Sequence, residues 1–173
     1  LEGLIANRLP RKTGGIILTH LLNRRGRIEI ELTVVKLADS RYNQVCAAFF
    51  EQRLLDHLAA HRTDEELTFS NLSQAWSALA LQGPKSRAVL AANTDSALDN
   101  DHFRWLTAQE ISIAGHAMWA FRMSYAGELG WEIHGPREHT LAVYDALWAS
   151  GEEFGIADYG SFAMNAMRME NMF

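Results

Sequence analysis

The sequence predicts an α+β protein of two packed antiparallel-sheet units, residues 1–74 and 75–173. Three observations lead there. A β-branched, apolar run at 15–22, a polar turn and an alternating run to Leu37 make a hairpin. From Trp76 onward the apolar spacing changes in the order strand, helix, strand, strand, strand, helix, which approximates a split βαβ, ferredoxin-like layer. Hydrophobic residues make up 48% of the 173, ample for a core, while 21% charged residues is too ordinary for a disordered chain.

The hairpin runs from Gly15 to Leu22, turns at Asn23-Arg24-Arg25-Gly26 and returns from Arg27 to Leu37. On the returning strand Ile28, Ile30, Leu32 and Val34 share one face, and Glu29, Glu31 and Thr33 share the other. Tyr42 to Ala48 reads as a third strand. A helix from Phe49 to His61 follows, with Ala47, Phe50, Leu54 and Leu58 at helical spacing. Leu67 to Leu72 reads as a short strand returning to this sheet. In the second unit, residues 76–82 form a strand, and Gly83-Pro84-Lys85-Ser86 opens a helix to about Ala92, with Pro84 in the first turn where its missing N–H is harmless. Asn93 to Asp101 is polar and loop-like. Glu110–Ala114 and Ala117–Ser124 pair around Gly115-His116, and Trp131–His134 adds another strand. A long helix from Pro136 to Phe154 carries Leu141, Tyr144, Leu147 and Trp148 on one face and stops at Gly155. Residues 163–170 begin a last helix.

A net charge of −5 argues against a nucleic-acid partner, because phosphates demand a basic face. No apolar run approaches the roughly 18–20 residues that cross a bilayer, and no secretory signal opens the chain. One cysteine, Cys46, cannot form an internal disulfide and fits a reducing compartment, so a cytoplasmic location is expected. The first residue is not Met and the last helix has no capping glycine, so the chain is expected to be a piece of something longer.

Seven histidines invite a metal site. His57 and His61 stand at i,i+4 on a helix, but without an HExxH pattern or a third ligand they read as a solvated helix face. His134 and His139 flank a strand-to-helix junction with no ligand pattern. No metal is expected. Cys46 lies among Val45, Ala47 and Ala48 and reads as a small core residue rather than a thiolate. Gly83-Pro84-Lys85-Ser86 lacks the glycine spacing of a phosphate loop, and its proline removes a cradling N–H. Residues 122–133 differ from all of these. Two glycines and a tyrosine stand between two strands, more than a simple turn requires. If Trp131 and Ile133 pack inward, Glu132 projects from the opposite face, where a carboxylate is either solvated or lines a cleft.

That segment, S-Y-A-G-E-L-G-W-E-I at 124–133, stands with G-R-I-E-I-E-L-T-V at 26–34, L-Q-G-P-K-S-R at 81–87 and A-M-N-A-M-R-M-E at 163–170. Together the four blocks resemble the aminomethyltransferase (glycine-cleavage T-protein) superfamily, in family order and with family-like spacing from Asn7 to Phe173. The resemblance is closest to the folate-binding half of dimethylglycine and sarcosine dehydrogenases. L-I-A-N-R-L-P at 4–10 is similar to the family's early helix exit. The resemblance implies the aminomethyltransferase folate-binding fold, with tetrahydrofolate as cofactor. It also implies that FAD belongs to an N-terminal half outside this chain.

The tyrosine and the second glutamate of the family's Y-x-G-E-x-G-x-E block help form the folate pocket, which implies that role for Tyr125 and Glu132. A carboxylate suits the task, because the pterin's amino group and adjacent ring N–H present two parallel donors. The E-L-T-V block matches the family's D-L-T-V or D-L-I-V, whose acidic residue sits near the reactive folate nitrogens. Here it is Glu31, implied to be catalytic, with Thr33 on the same strand face. Glutamate for aspartate keeps the charge and moves it by about one methylene. Met164 stands where T-proteins proper carry an arginine, which favours the dehydrogenase branch, and Asn171 stands where a lysine is frequent.

The implied activity is one-carbon transfer from an amine-derived imine or formaldehyde equivalent to tetrahydrofolate, giving 5,10-methylenetetrahydrofolate. The implied partners are therefore small molecules, with no nucleic acid and no membrane. Two other readings stay open: a folate-binding or scaffold module without turnover, and methyl transfer from a sulfonium donor.

Overall fold

A computed structural model describes residues 1–64 and 66–172. The chain folds as two compact units, Leu1–Asn71 and Leu72–Phe173.

In the first unit β1 (Ile16–Leu22), β2 (Ile28–Ala38) and β3 (Arg41–Cys46) form an antiparallel sheet in the order β1-β2-β3. The turn between β1 and β2 is built by Asn23, whose Oδ1 accepts the N–H groups of Arg25 and Arg27 at 2.9 and 3.1 Å. The two-residue alternation of β2 puts Ile30, Leu32 and Val34 on one face, where they are buried against Leu54 and Leu58 of α1 (Glu51–Ala60). Glu31 and Thr33 occupy the other face, as expected. Ile28 belongs by parity to the apolar face but is exposed, because it sits beside the turn.

Two expectations for this unit fail. A 3₁₀ turn at Ala48–Phe50 precedes α1, so Ala47 is extended and exposed rather than on the helix face. Residues 67–72 form no strand. Thr68, Ser70 and Asn71 leave only Leu67, Phe69 and Leu72 to bury, too little apolar surface to hold an added strand, and the first two are exposed.

In the second unit the elements follow the expected order: β4 (Trp76–Gln82), α2 (Ser86–Ala91), β5 (Ala108–Ile113), β6 (His116–Phe121), β7 (Gly130–Pro136) and α3 (Thr140–Gly151). Then comes α4 (Ser161–Glu170). The sheet is antiparallel throughout in the order β4-β7-β6-β5, so two strands lie between β4 and β5, the pair that α2 joins. One core holds Val89 and Leu90 of α2, Val143 and Leu147 of α3, and Leu81, Ile111, Ile113, Met118, Trp131 and Ile133 of the sheet. The buried face of α3 is thus Val143, Leu147 and Gly151, with Tyr144 and Trp148 half-buried at its margin. Leu141, expected on that face, points outward. Gly135 of β7 leaves room for its neighbour: a Cβ there would lie 2.5 Å from the Met118 sulfur.

Candidate functional site

Strand parity places Glu132. Its neighbours Trp131 and Ile133 are fully buried in the core, so Glu132 and His134 emerge from the other face of β7. Across the ladder Glu132 stands opposite Ala80 of β4 and Phe121 of β6, and His134 stands opposite Ala78 and Trp119. The two alanines leave the space above them open on the β4 side. His134 Nε2 donates to Glu132 Oε2 at 3.1 Å, and its ring stacks on Phe121 with centroids 4.2 Å apart. An ionised carboxylate is acceptor-only, so Nε2 carries the proton. The Glu132 side chain keeps 25% of its surface and His134 only 8%, so the imidazole is the buried support and the carboxylate the reachable end.

Tyr159, in the segment between α3 and α4, belongs to the same neighbourhood. Burial, and then the Glu132 charge, push its phenol pKa up. Its hydroxyl is buried with no hydrogen-bond partner among the described residues. Ala80 and Tyr159 both line a cavity of about 620 Å³ beside β4, walled also by Trp148, Met164 and Met167. Met164, the residue that departs from the T-protein pattern, makes that wall apolar. Tyr125 is set differently. It lies in the loop after β6, 39% exposed, with its hydroxyl donating to Asn165 of α4 at 3.3 Å and the Arg168 guanidinium 4.9 Å from its ring centre. Asn171 ties the end of α4 to the same loop, donating to the Ala126 carbonyl and to Glu128 Oε1, both at 3.0 Å. The departure from lysine at 171 therefore has a structural use.

In the first unit, Glu31 is exposed and accepts a hydrogen bond from His20 Nε2 at 3.2 Å across the β1–β2 ladder. Thr33, its neighbour on that face, is nearly buried between Leu18 and Val45. Glu31 and Thr33 thus share one sheet face of the first unit, while Glu132 and Tyr125 belong to the second. Sequence reasoning missed His20 and Tyr159 as functional candidates, and weighed His134 only as a metal ligand.

The other chemistries find little support. Cys46 is half-buried, and burial, then Glu51, push its thiol pKa up, away from a nucleophilic thiolate. His57 and His61 lie with ring centres 4.3 Å apart. Among the described residues no group of three or more His, Cys, Asp or Glu side chains is placed to hold a metal. No described helix is long and apolar enough to cross a membrane.

The fold is an α+β domain with two antiparallel sheets, and its candidate site is a carboxylate on an imidazole support. The chain belongs to the GCVT N-terminal domain family, whose model matches residues 1–173. It is 34% identical over 175 residues to mitochondrial dimethylglycine dehydrogenase of Mus musculus, covering 100% of this chain and 20% of that protein. It is 33% identical over 184 residues to mitochondrial sarcosine dehydrogenase of Mus musculus, covering 98% and 20%. Aminomethyltransferase of Chloroherpeton thalassium is 33% identical over 150 residues, covering 87% and 41%. Among solved structures, glycine cleavage system aminomethyltransferase T from Bartonella henselae superposes with a TM-score of 0.78 at 27% identity, over 94% of this chain and 42% of that one. The chain is an aminomethyltransferase-like domain spanning about one fifth of the dehydrogenases it matches.

Proposed function

We propose that this domain binds tetrahydrofolate and takes part in one-carbon transfer within a dimethylglycine- or sarcosine-dehydrogenase-type enzyme, with 5,10-methylenetetrahydrofolate as product. The observation that carries the reading is the Glu132–His134 pair. One carboxylate oxygen is engaged by a buried imidazole, which leaves the other free to accept from a ligand. A pterin offers an amino group and a ring N–H side by side, and a fixed, charged acceptor suits them better than a mobile surface glutamate. The unpartnered Tyr159 hydroxyl and the apolar cavity beside Ala80 fit a flat, partly polar ring system.

Bound tetrahydrofolate would supply an amine nitrogen that captures a carbon at the oxidation level of formaldehyde. The chain's own residues do the rest. Glu132 and Tyr125 hold and orient the ring, which supplies acceleration through proximity. Glu31 orients or deprotonates the attacking nitrogen as a general base, and His20 Nε2 donates to its carboxylate and fixes where it points. Thr33 adds a hydroxyl on the same face.

Calorimetric titration of tetrahydrofolate and of folinic acid into the purified chain tests this reading. Saturable binding that is lost in Glu132→Gln supports it. Saturable binding unaffected by Glu132→Gln moves the site elsewhere. No binding in the presence of the full-length protein's remaining segments leaves the scaffold reading in its place.

A further inference from the structure

The helix-side face of the second sheet holds a cluster that the folate reading does not use. Arg122 follows β6 and is 8% exposed, and Arg87 of α2 is half-buried. Their guanidinium carbons lie 5.8 and 6.0 Å from the centre of the Trp131 ring, which is fully buried. Both arginines donate through Nη2 to a single neutral acceptor, Asn100 Oδ1, each at 2.7 Å. Arg122 Nη1 donates to the Phe103 carbonyl.

Two things are missing from this arrangement among the described residues. No carboxylate forms an ion pair with either guanidinium: the flanking Asp99 is committed to His102 and to the N–H groups of residues 101 and 102. Three buried donors, Arg87 Nε, Arg122 Nε and Trp131 Nε1, have no acceptor. Buried cations are ordinarily paired, and an orphaned buried N–H is costly. Burial, and then the Arg87 charge, depress the Arg122 pKa. Asn100 is exposed, so the cluster opens to solvent at the point where the two guanidiniums meet.

We infer that Arg87, Arg122 and the Trp131 N–H form a binding site for a small oxyanion, a carboxylate or phosphate group, entered past Asn100. Such a group carries several lone pairs and a full charge, so it can bridge two guanidiniums and accept from the remaining donors. Trp131 and Glu132 project to opposite faces of β7, so this site is separate from the folate reading and does not depend on it.

The test is thermal unfolding of the purified chain against sodium phosphate and sodium acetate, with sodium chloride at matched ionic strength as reference. Saturable stabilisation by phosphate or acetate beyond chloride is expected, and the more effective of the two identifies the class of oxyanion. It should vanish in Arg87→Gln. Asn100→Asp is the second variant. It places a carboxylate where both guanidiniums already point, so it should raise the melting temperature without anion and abolish the phosphate and acetate response. Three results would overturn the proposal: stabilisation equal to that of chloride, a linear and unsaturated rise typical of excluded salts, or a saturable response unchanged in Asn100→Asp.

Discussion

Glu132 and His134, two residues apart on β7, share a hydrogen bond of 3.1 Å on the sheet face opposite the one packed by α2 and α3. The imidazole is packed on Phe121 and cannot swing with its partner, so the carboxylate is held at one end only. A residue held this way should matter more to a ligand than to the fold.

Glu132→Gln is therefore expected to weaken tetrahydrofolate binding by about 1.5–3 kcal/mol, the usual value of a hydrogen bond to a charged group. The melting temperature without ligand should stay where it is. Calorimetry and thermal unfolding on the same preparation check both halves. An equal loss in both would make Glu132 a structural residue.

For Glu31 the expected separation is between oxidation and transfer. In the full-length enzyme, Glu31→Ala should leave amine oxidation running and slow folate-product formation by about 10²–10⁴-fold, the range for a positioned acid–base group. Free formaldehyde should then accumulate. Glu31→Asp shortens the reach to His20, and full activity in that variant would show that the His20 contact is dispensable.

Gly135→Ala tests the packing beneath the site. The new methyl would meet Met118 Sδ and Cε at 2.5 and 2.6 Å, inside a core where Met118 is almost fully buried. A loss of about 1–3 kcal/mol is expected, as for other overpacked cores. Met118→Ala should restore part of it, and chemical denaturation of the single and double variants measures the coupling.

The His57 pKa is depressed below its ordinary value of 6.5, by burial first, then by His61 and Arg53. The unfolded chain therefore binds a proton at this position more readily than the folded one. Its contribution is fully present above pH 6.5 and is lost as the pH falls from there through the depressed folded value. Urea midpoints at pH 7.5 and 5.5 should differ less in His57→Gln than in the parent chain.

Much of the candidate site was legible because strands alternate strictly. Glu31 and Thr33 had to oppose Ile30, Leu32 and Val34, and Glu132 had to oppose Trp131 and Ile133. The partner of Glu31 was not legible. The β1–β2 register shifts between Leu21 and Leu22, so His20 faces Glu31. Continuing the pairing of Leu22 with Ile28 without that shift would have set Thr19 there. The face of α3 was ambiguous for another reason. With Leu141, Val143, Tyr144, Leu147 and Trp148 spread around it, 3.6-residue periodicity fits two stripes, and packing against the sheet chose the one with Val143. Tyr159 lies in a segment with no periodicity at all, so only the folded chain brings it near Glu132.

The Met118 sulfur fills the volume that a side chain at position 135 would need, and the residue is almost wholly shielded from solvent. Peroxide can reach it only when the second unit opens, whereas Met169 and Met172 stand 68% and 95% exposed. The same chain therefore carries fast and slow oxidation targets. The rate at which Met118 becomes the sulfoxide, read by peptide mass against those two, is an internal clock for how often this core comes apart.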